Sequence, residues 1–177
     1  KSIRENARFH KRKRTVVALD ITDFFSSIGF GAVFGIFRAM GYSKPVCVML
    51  SRLCTLHGKL PQGAPTSPML SNLFFKKTDD NIFHYCRERG IMYTRYADDL
   101  VFSGNELKPQ HLISFVKMLL SSRQLTLNDK KTKVMGRGTR QSVTGVIVND
   151  KMQVAREYRD KIRQEVYYCI KYGEYSF

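Results

Sequence analysis

Ile91-Met92-Tyr93-Thr94-Arg95-Tyr96-Ala97-Asp98-Asp99-Leu100-Val101-Phe102-Ser103-Gly104 is the stretch on which the fold turns. Two short apolar runs, Ile91-Met92-Tyr93 and Leu100-Val101-Phe102, flank Tyr96-Ala97-Asp98-Asp99. That pattern predicts a β-hairpin whose tight connection carries two adjacent carboxylates. An Asp-Asp pair alone is common turn chemistry. Its meaning depends on what lies beside it.

Upstream, Thr15-Val16-Val17-Ala18-Leu19-Asp20-Ile21 is a continuous β-branched and apolar run that predicts a buried strand. Asp20 at its end is costly to bury as a charge without a partner or a metal. Helices are expected over residues 31–40, closed by Gly41, and over 45–56. A loop rich in Gly and Pro spans Leu60 to Pro68. Ser67 is the expected cap of a helix that begins at Pro68 and runs to about Arg89. Its apolar side is Leu70, Leu73, Phe74, Ile82, Phe83 and Cys86. Residues 109–124 and 155–172 repeat apolar positions at helical spacing. Short strands are expected around Leu125–Leu127 and Val143–Val148. Interleaved helices and strands with a hairpin among them favour an α+β domain, an antiparallel sheet covered by helices.

Lys and Arg total 30 against 15 Asp and Glu, a formal charge of +15. Such an excess attracts polyanions, nucleic acid first. Lys1 to Arg14 is polar and basic and ends in Lys11-Arg12-Lys13-Arg14. No apolar stretch is long enough for a spanning helix, and no signal peptide is visible. A membrane partner is therefore not expected, and the cytoplasm is the expected compartment. Cys47, Cys54, Cys86 and Cys169 form no Cys-x-x-Cys pair and read as small buried apolar residues of a reducing environment. Starting at Lys1 and ending at Phe177 without a change of composition, the chain reads as a piece of a longer protein.

The flanks of the carboxylates carry a family resemblance. Tyr96-Ala97-Asp98-Asp99 resembles the Tyr-x-Asp-Asp motif of reverse transcriptases. Leu60-Pro61-Gln62-Gly63-Ala64-Pro65-Thr66-Ser67-Pro68 is similar to their Leu-Pro-Gln-Gly-x-x-x-Ser-Pro motif. Leu19-Asp20-Ile21-Thr22-Asp23-Phe24-Phe25 resembles their first acidic motif, and the blocks occur in the family's order. Asn6-Ala7-Arg8-Phe9-His10 is similar to the Asn-Ala-x-x-His signature of bacterial retron reverse transcriptases, and Val143-Thr144-Gly145 to their Val-Thr-Gly motif.

The resemblance implies a right-hand polymerase architecture, with residues 1–154 as palm and part of the fingers and 155–177 as the start of a thumb helix. It implies RNA-directed DNA synthesis by two-metal nucleotidyl transfer. Asp20, Asp98 and Asp99 would hold two Mg²⁺ ions, with Mn²⁺ as an alternative, and the Ile21 carbonyl would complete the shell. Asp23, Phe24, Phe25, Gln62, Gly63 and Lys131 would meet the incoming deoxynucleotide, Phe25 beneath its sugar and Lys131 near the departing pyrophosphate. Asn6, His10, Tyr96, Arg140, Val143, Thr144 and Gly145 would contact RNA or primer. The implied partners are a structured non-coding RNA, its RNA–DNA hybrid, dNTPs and an effector protein of an anti-phage system. The fingers segment that contacts the triphosphate is expected to be missing. A group II intron or abortive-infection enzyme is a second reading, which the Asn-Ala-x-x-His block disfavours. A catalytically silent RNA-docking palm is a third, which three retained acids disfavour. A general basic RNA-binding domain would show salt-sensitive binding without a need for Mg²⁺.

Overall fold

Ser2 opens the first helix in the computed structural model, which describes residues 2–173. Its side chain accepts a hydrogen bond from the Glu5 N–H at 3.1 Å and so caps α1 (Ile3–Arg8). The sequence had suggested only a basic stretch here. The chain continues through β1 (Thr15–Asp20), α2 (Phe30–Ala39), α3 (Lys44–Cys54) and α4 (Ser67–Glu88). The hairpin follows as β2 (Met92–Tyr96) and β3 (Asp99–Gly104), then α5 (Pro109–Ser121) and β4 (Lys133–Gly136). Three short strands, β5 (Ser142–Val143), β6 (Val146–Ile147) and β7 (Gln153–Val154), precede α6 (Arg156–Tyr172).

The main sheet has the order β2-β3-β1-β4, antiparallel throughout. One face carries the larger core. Val17, Leu19, Leu100 and Phe102 meet Phe75, Ile82 and Cys86 of α4 and Leu112, Val116 and Leu120 of α5. The other face is smaller: Val16, Val101 and Met135 pack with Ala7 of α1, with Val143 of β5 and with Val148 just after β6. Alternation along β1 divides its side chains between these two layers. The α+β fold expected from the hairpin is the fold observed.

Several local expectations change. Ser67 is the first helical residue of α4 rather than its cap, and its hydroxyl donates to the Pro61 carbonyl at 2.6 Å, pinning the preceding loop. Phe83 is exposed; Phe75 and Thr78 take the buried face instead. Residues around Leu125–Leu127 form only an isolated bridge to Ile21, and the fourth strand is β4. Residues 143–148 are not one strand but the β5–β6 hairpin, turning at Thr144-Gly145. Cys47 and Cys86 are buried as expected, whereas Cys169 is exposed. Burial raises the Cys86 thiol to about 12, against a smaller lowering by Arg89.

His10 ties the smaller layer to the hairpin. It is fully buried, with Nδ1 2.8 Å from Ser103 Oγ and Nε2 2.6 Å from Thr94 Oγ1. Burial, with a smaller contribution from the Lys13 charge, lowers its pKa from 6.5 to about 4. The folded state then binds fewer protons than the unfolded state between these values. His10 therefore contributes stability above pH 6.5 that is lost as pH falls towards about 4. Thermal melts across that window should show the wild type losing stability more steeply than His10→Gln. Parallel curves would mean that His10 is not the titrating group.

Candidate active site

Register places the acids together. β1 and β3 pair so that Asp20 lies opposite Asp99, and β2 pairs with β3 so that Tyr96 also lies opposite Asp99. That leaves Ala97-Asp98 as a two-residue turn. Ala97 has φ 53°, the left-handed region that non-glycine residues seldom adopt. The Ile21 N–H donates to the Asp98 carbonyl at 3.2 Å, so the turn is strapped to the residue that follows Asp20. The Asn128 N–H donates to the Asp20 carbonyl at 2.8 Å and begins the turn that delivers Lys131. Lys131 Nζ donates to Asp20 Oδ1 at 3.0 Å.

A cavity of about 240 Å³ at this sheet end is lined by Asp20, Asp99, Lys131, Lys133, Ser142, Thr144 and Gly145 among others. The Val-Thr-Gly block thus meets the acids in space. Thr144 and Gly145 both have positive φ, 45° and 84°, the pair of conformations that a type I′ hairpin turn requires. Glycine suits this; a β-branched residue is strained there. The Thr144 hydroxyl is buried and has no hydrogen-bond partner.

Asp99 carries the electrostatic signature of the site. Its pKa is raised, first by burial, then by the charges of Asp98 and Asp20, with Lys131 opposing. A carboxylate with a raised folded pKa contributes stability that is present at low pH and lost as pH rises through that value. At neutral pH its ionisation therefore costs stability. Asp99→Asn should melt a few degrees higher than wild type at neutral pH without divalent metal. The gain should disappear below the ordinary value of 3.8, where both states are protonated. An unchanged or lower melting temperature would contradict this charge crowding.

Other sequence-derived candidates fall elsewhere. Asp23 is exposed in a turn with φ 48°, and Gln62 and Gly63 are exposed in the α4-leading loop, Gly63 with φ 88°. Phe25 is partly buried, whereas Phe24 is a core residue, 3% exposed and edge-on to Phe75, with no surface to offer a nucleotide. His10 and Val143 are likewise fully buried and contribute packing rather than an RNA-touching surface. Ile21 exposes only 1% of its surface and its side chain belongs to the larger core. Arg140 donates to Glu157 of α6 at 2.9 Å. Asn6 and Tyr96 line a separate cavity of about 620 Å³ along the free edge of β2.

The sequence reading missed a polar cluster behind the turn. Arg95 and Tyr93 of β2 both reach Asp79 of α4. Burial, followed by the Asp79 charge and hydrogen bond, holds the Tyr93 hydroxyl well above its ordinary pKa. The signal was present: Asp79 lies four residues after Phe75 and three before Ile82, on the buried face of a helix.

Among the described residues no three His, Cys, Asp or Glu side chains converge as a ready-made ligand cluster. The acids nonetheless suit a divalent cation. Mg²⁺ is usually held by one or two carboxylates with substrate phosphates supplying the rest. The mutual repulsion around Asp99 is what a cation would relieve.

The antiparallel sheet with its covering helices has the fold of a polymerase palm. Residues 1–159 match the family model described as "Reverse transcriptase (RNA-dependent DNA polymerase)", and the chain belongs to that family. Within it, the chain groups with the bacterial retron reverse transcriptases. It is 36% identical to the Retron Ec86 reverse transcriptase of Escherichia coli, over 98% of this chain and 55% of that protein. It is 35% identical to the Retron Mx65 reverse transcriptase of Myxococcus xanthus, over 92% of this chain and 43% of that protein. The chain thus spans about half the length of these curated relatives. Among solved structures, telomerase from Candida albicans, in complex with a TWJ fragment of telomeric RNA, superposes with a TM-score of 0.62 at 11% identity. The match covers 87% of this chain and 33% of that one. Apo telomerase from Candida tropicalis gives 0.59 at 11% identity, over 86% of this chain and 38% of that one. These likenesses concern the fold. No helix among the described residues is long and apolar enough to cross a membrane.

Proposed function

We propose that this protein is an RNA-directed DNA polymerase of retron type that adds deoxynucleotides to a primer 3′-hydroxyl. The observation that carries the reading is the pairing of Asp20 with Asp99, with Asp98 in the adjoining turn. Asp20, Asp98 and Asp99 would hold two Mg²⁺ ions. When bound, such ions lower the pKa of an attacking hydroxyl and neutralise the charge of a phosphoryl group in transfer.

The chain's own groups then have definite tasks. The sheet register fixes the acids relative to one another before substrate arrives. Lys131 holds Asp20 Oδ1 and supplies a cation at the cavity mouth, where a departing phosphate would sit. Thr144, whose hydroxyl is buried without a partner, lines the same cavity and would shape it for the primer end. Phe25, partly buried at the edge of the core, would exclude a 2′-hydroxyl by bulk. Residues 1–154 serve as palm with part of the fingers and 155–177 as the start of the thumb, although 174–177 lie outside the described residues. The +15 charge suits an RNA template and an RNA–DNA hybrid, and a basic interface of this kind weakens steeply with salt. The relatives' retron identity supports a structured non-coding RNA as template, a branched RNA–DNA product and a role in bacterial anti-phage defence beside an effector protein.

Primer extension tests this reading in the protein at its full natural length. An RNA template with Mg²⁺ and dNTPs should give extension, and ribonucleotides should give far less. Equal use of both nucleotide types, or no extension of any RNA-templated primer, would overturn it.

A further inference from the structure

We infer that Arg95, anchored by Asp79, is a positioning residue for the acid-bearing turn, an inference that rests on the polymerase reading above. Arg95 lies two residues before the turn, and its side chain is 10% exposed. Its Nε donates to Asp79 Oδ1 at 2.9 Å and Oδ2 at 3.0 Å, and its Nη2 donates to Asp79 Oδ2 at 2.7 Å. Nη2 also donates to Asn72 Oδ1 at 3.0 Å. The guanidinium lies over the Phe75 ring, 4.8 Å from its centroid. Asp79 in turn accepts from the Tyr93 hydroxyl at 2.6 Å. The plane of the guanidinium is thereby fixed from α4.

One donor points the other way. Arg95 Nη1 donates to the Ala97 carbonyl at 2.9 Å. That carbonyl belongs to the peptide joining Ala97 to Asp98, so its orientation sets the direction in which Asp98 leaves the backbone. Ala97 is in a left-handed conformation at φ 53°, which strains a residue with a Cβ. A strained peptide next to a reactive group needs outside restraint: the Ile21 N–H holds the Asp98 carbonyl from β1, and Arg95 holds the Ala97 carbonyl from the side of α4. The guanidinium charge is neutralised by Asp79 at contact distance, so the group acts on the turn through geometry more than through its field. Lysine carries the same charge but not the rigid fork. It can keep one bond to Asp79 while giving up the bond to Ala97.

Single-nucleotide incorporation by the full-length protein, with kcat and dNTP KM measured separately, tests the assignment. Melting temperature and near-ultraviolet circular dichroism report on folding. Arg95→Lys should fold, keep its KM for dNTP within about threefold, and lose kcat by about 10-fold to 100-fold, the scale of a small misplacement of reacting groups. Its apparent Mg²⁺ requirement should rise, because the acids are no longer held in register. A merely structural role would lower the melting temperature without changing kcat per folded molecule. If Arg95→Lys does not fold, Asp79→Asn carries the test, since it keeps the side-chain shape and loosens the anchor. The same split between kcat and KM is expected. A folded variant with wild-type kcat and Mg²⁺ dependence, or one changed only in KM, would overturn the inference while leaving the polymerase reading intact. A wild type without incorporation would overturn both.

Discussion

Asp98→Asn is expected to lower deoxynucleotide incorporation by about a thousandfold or more while leaving the fold intact. Stabilisation of phosphoryl-transfer charge by bound cations is worth several kcal/mol, and each 1.4 kcal/mol or so is a factor of ten in rate. Removing one carboxylate from a site with only three leaves a cation poorly held. The fold should not suffer, because the Asp98 carboxylate makes no hydrogen bond or ion pair among the described residues. Only its backbone carbonyl is engaged, by the Ile21 N–H, and asparagine keeps that. The substitution also removes one of the charges that raise the Asp99 pKa. The variant should therefore melt at or above the wild-type temperature while its incorporation is lost. Retained activity in a folded Asp98→Asn protein would remove this residue from the site.

Phe102→Ala should destabilise the protein by about 3–5 kcal/mol, the usual cost of deleting a buried aromatic ring. Phe102 lies in the middle of β3, pairs with Val17 on one side and Tyr93 on the other, and is fully buried. It stacks on Tyr93 at 5.0 Å between centroids, which links the core to the Asp79–Arg95 cluster. The cavity left by its ring would sit directly beneath the strand that carries Asp99. Denaturant unfolding, with the midpoint and slope read separately, measures the loss. A change below about 1 kcal/mol would mean that the layer repacks and that β3 is not the spine of the core.

The carboxylate motif and its hairpin were legible because both signals are local. Continuous apolar runs identified β1 and the hairpin, and the structure sets their register, with Ala97-Asp98 as the turn. The Asp20–Asp99 pairing needed only that these strands be neighbours. Short strands were harder to read. β4 is four residues long and begins with an exposed lysine, so its pairing with β1 comes from the sheet edge rather than from its own pattern. α1 was overlooked although Ser2 and Glu5 stand at capping-box spacing, because basic residues obscured the apolar contact of Ala7. Phe24, His10 and Val143 show a different limit: a motif identifies positions that matter without saying whether they face a ligand or the core. Arg95 and Asp79 show the converse. Asp79 shares the buried face of α4 with Phe75 and Ile82, but only the packing of α4 against β2 brings Arg95 to it.

Asp20, Asp98 and Asp99 are proposed to hold the divalent ions of nucleotidyl transfer jointly. The most direct measurement is anomalous diffraction from crystals of the full-length protein with Mn²⁺, a primer on an RNA template and a non-hydrolysable deoxynucleotide. Two peaks roughly 4 Å apart, each within coordination distance of oxygens from these acids, are the predicted result. Well-ordered nucleotide with no peak at Asp20 or Asp98, or ions held only by other residues, would contradict the account.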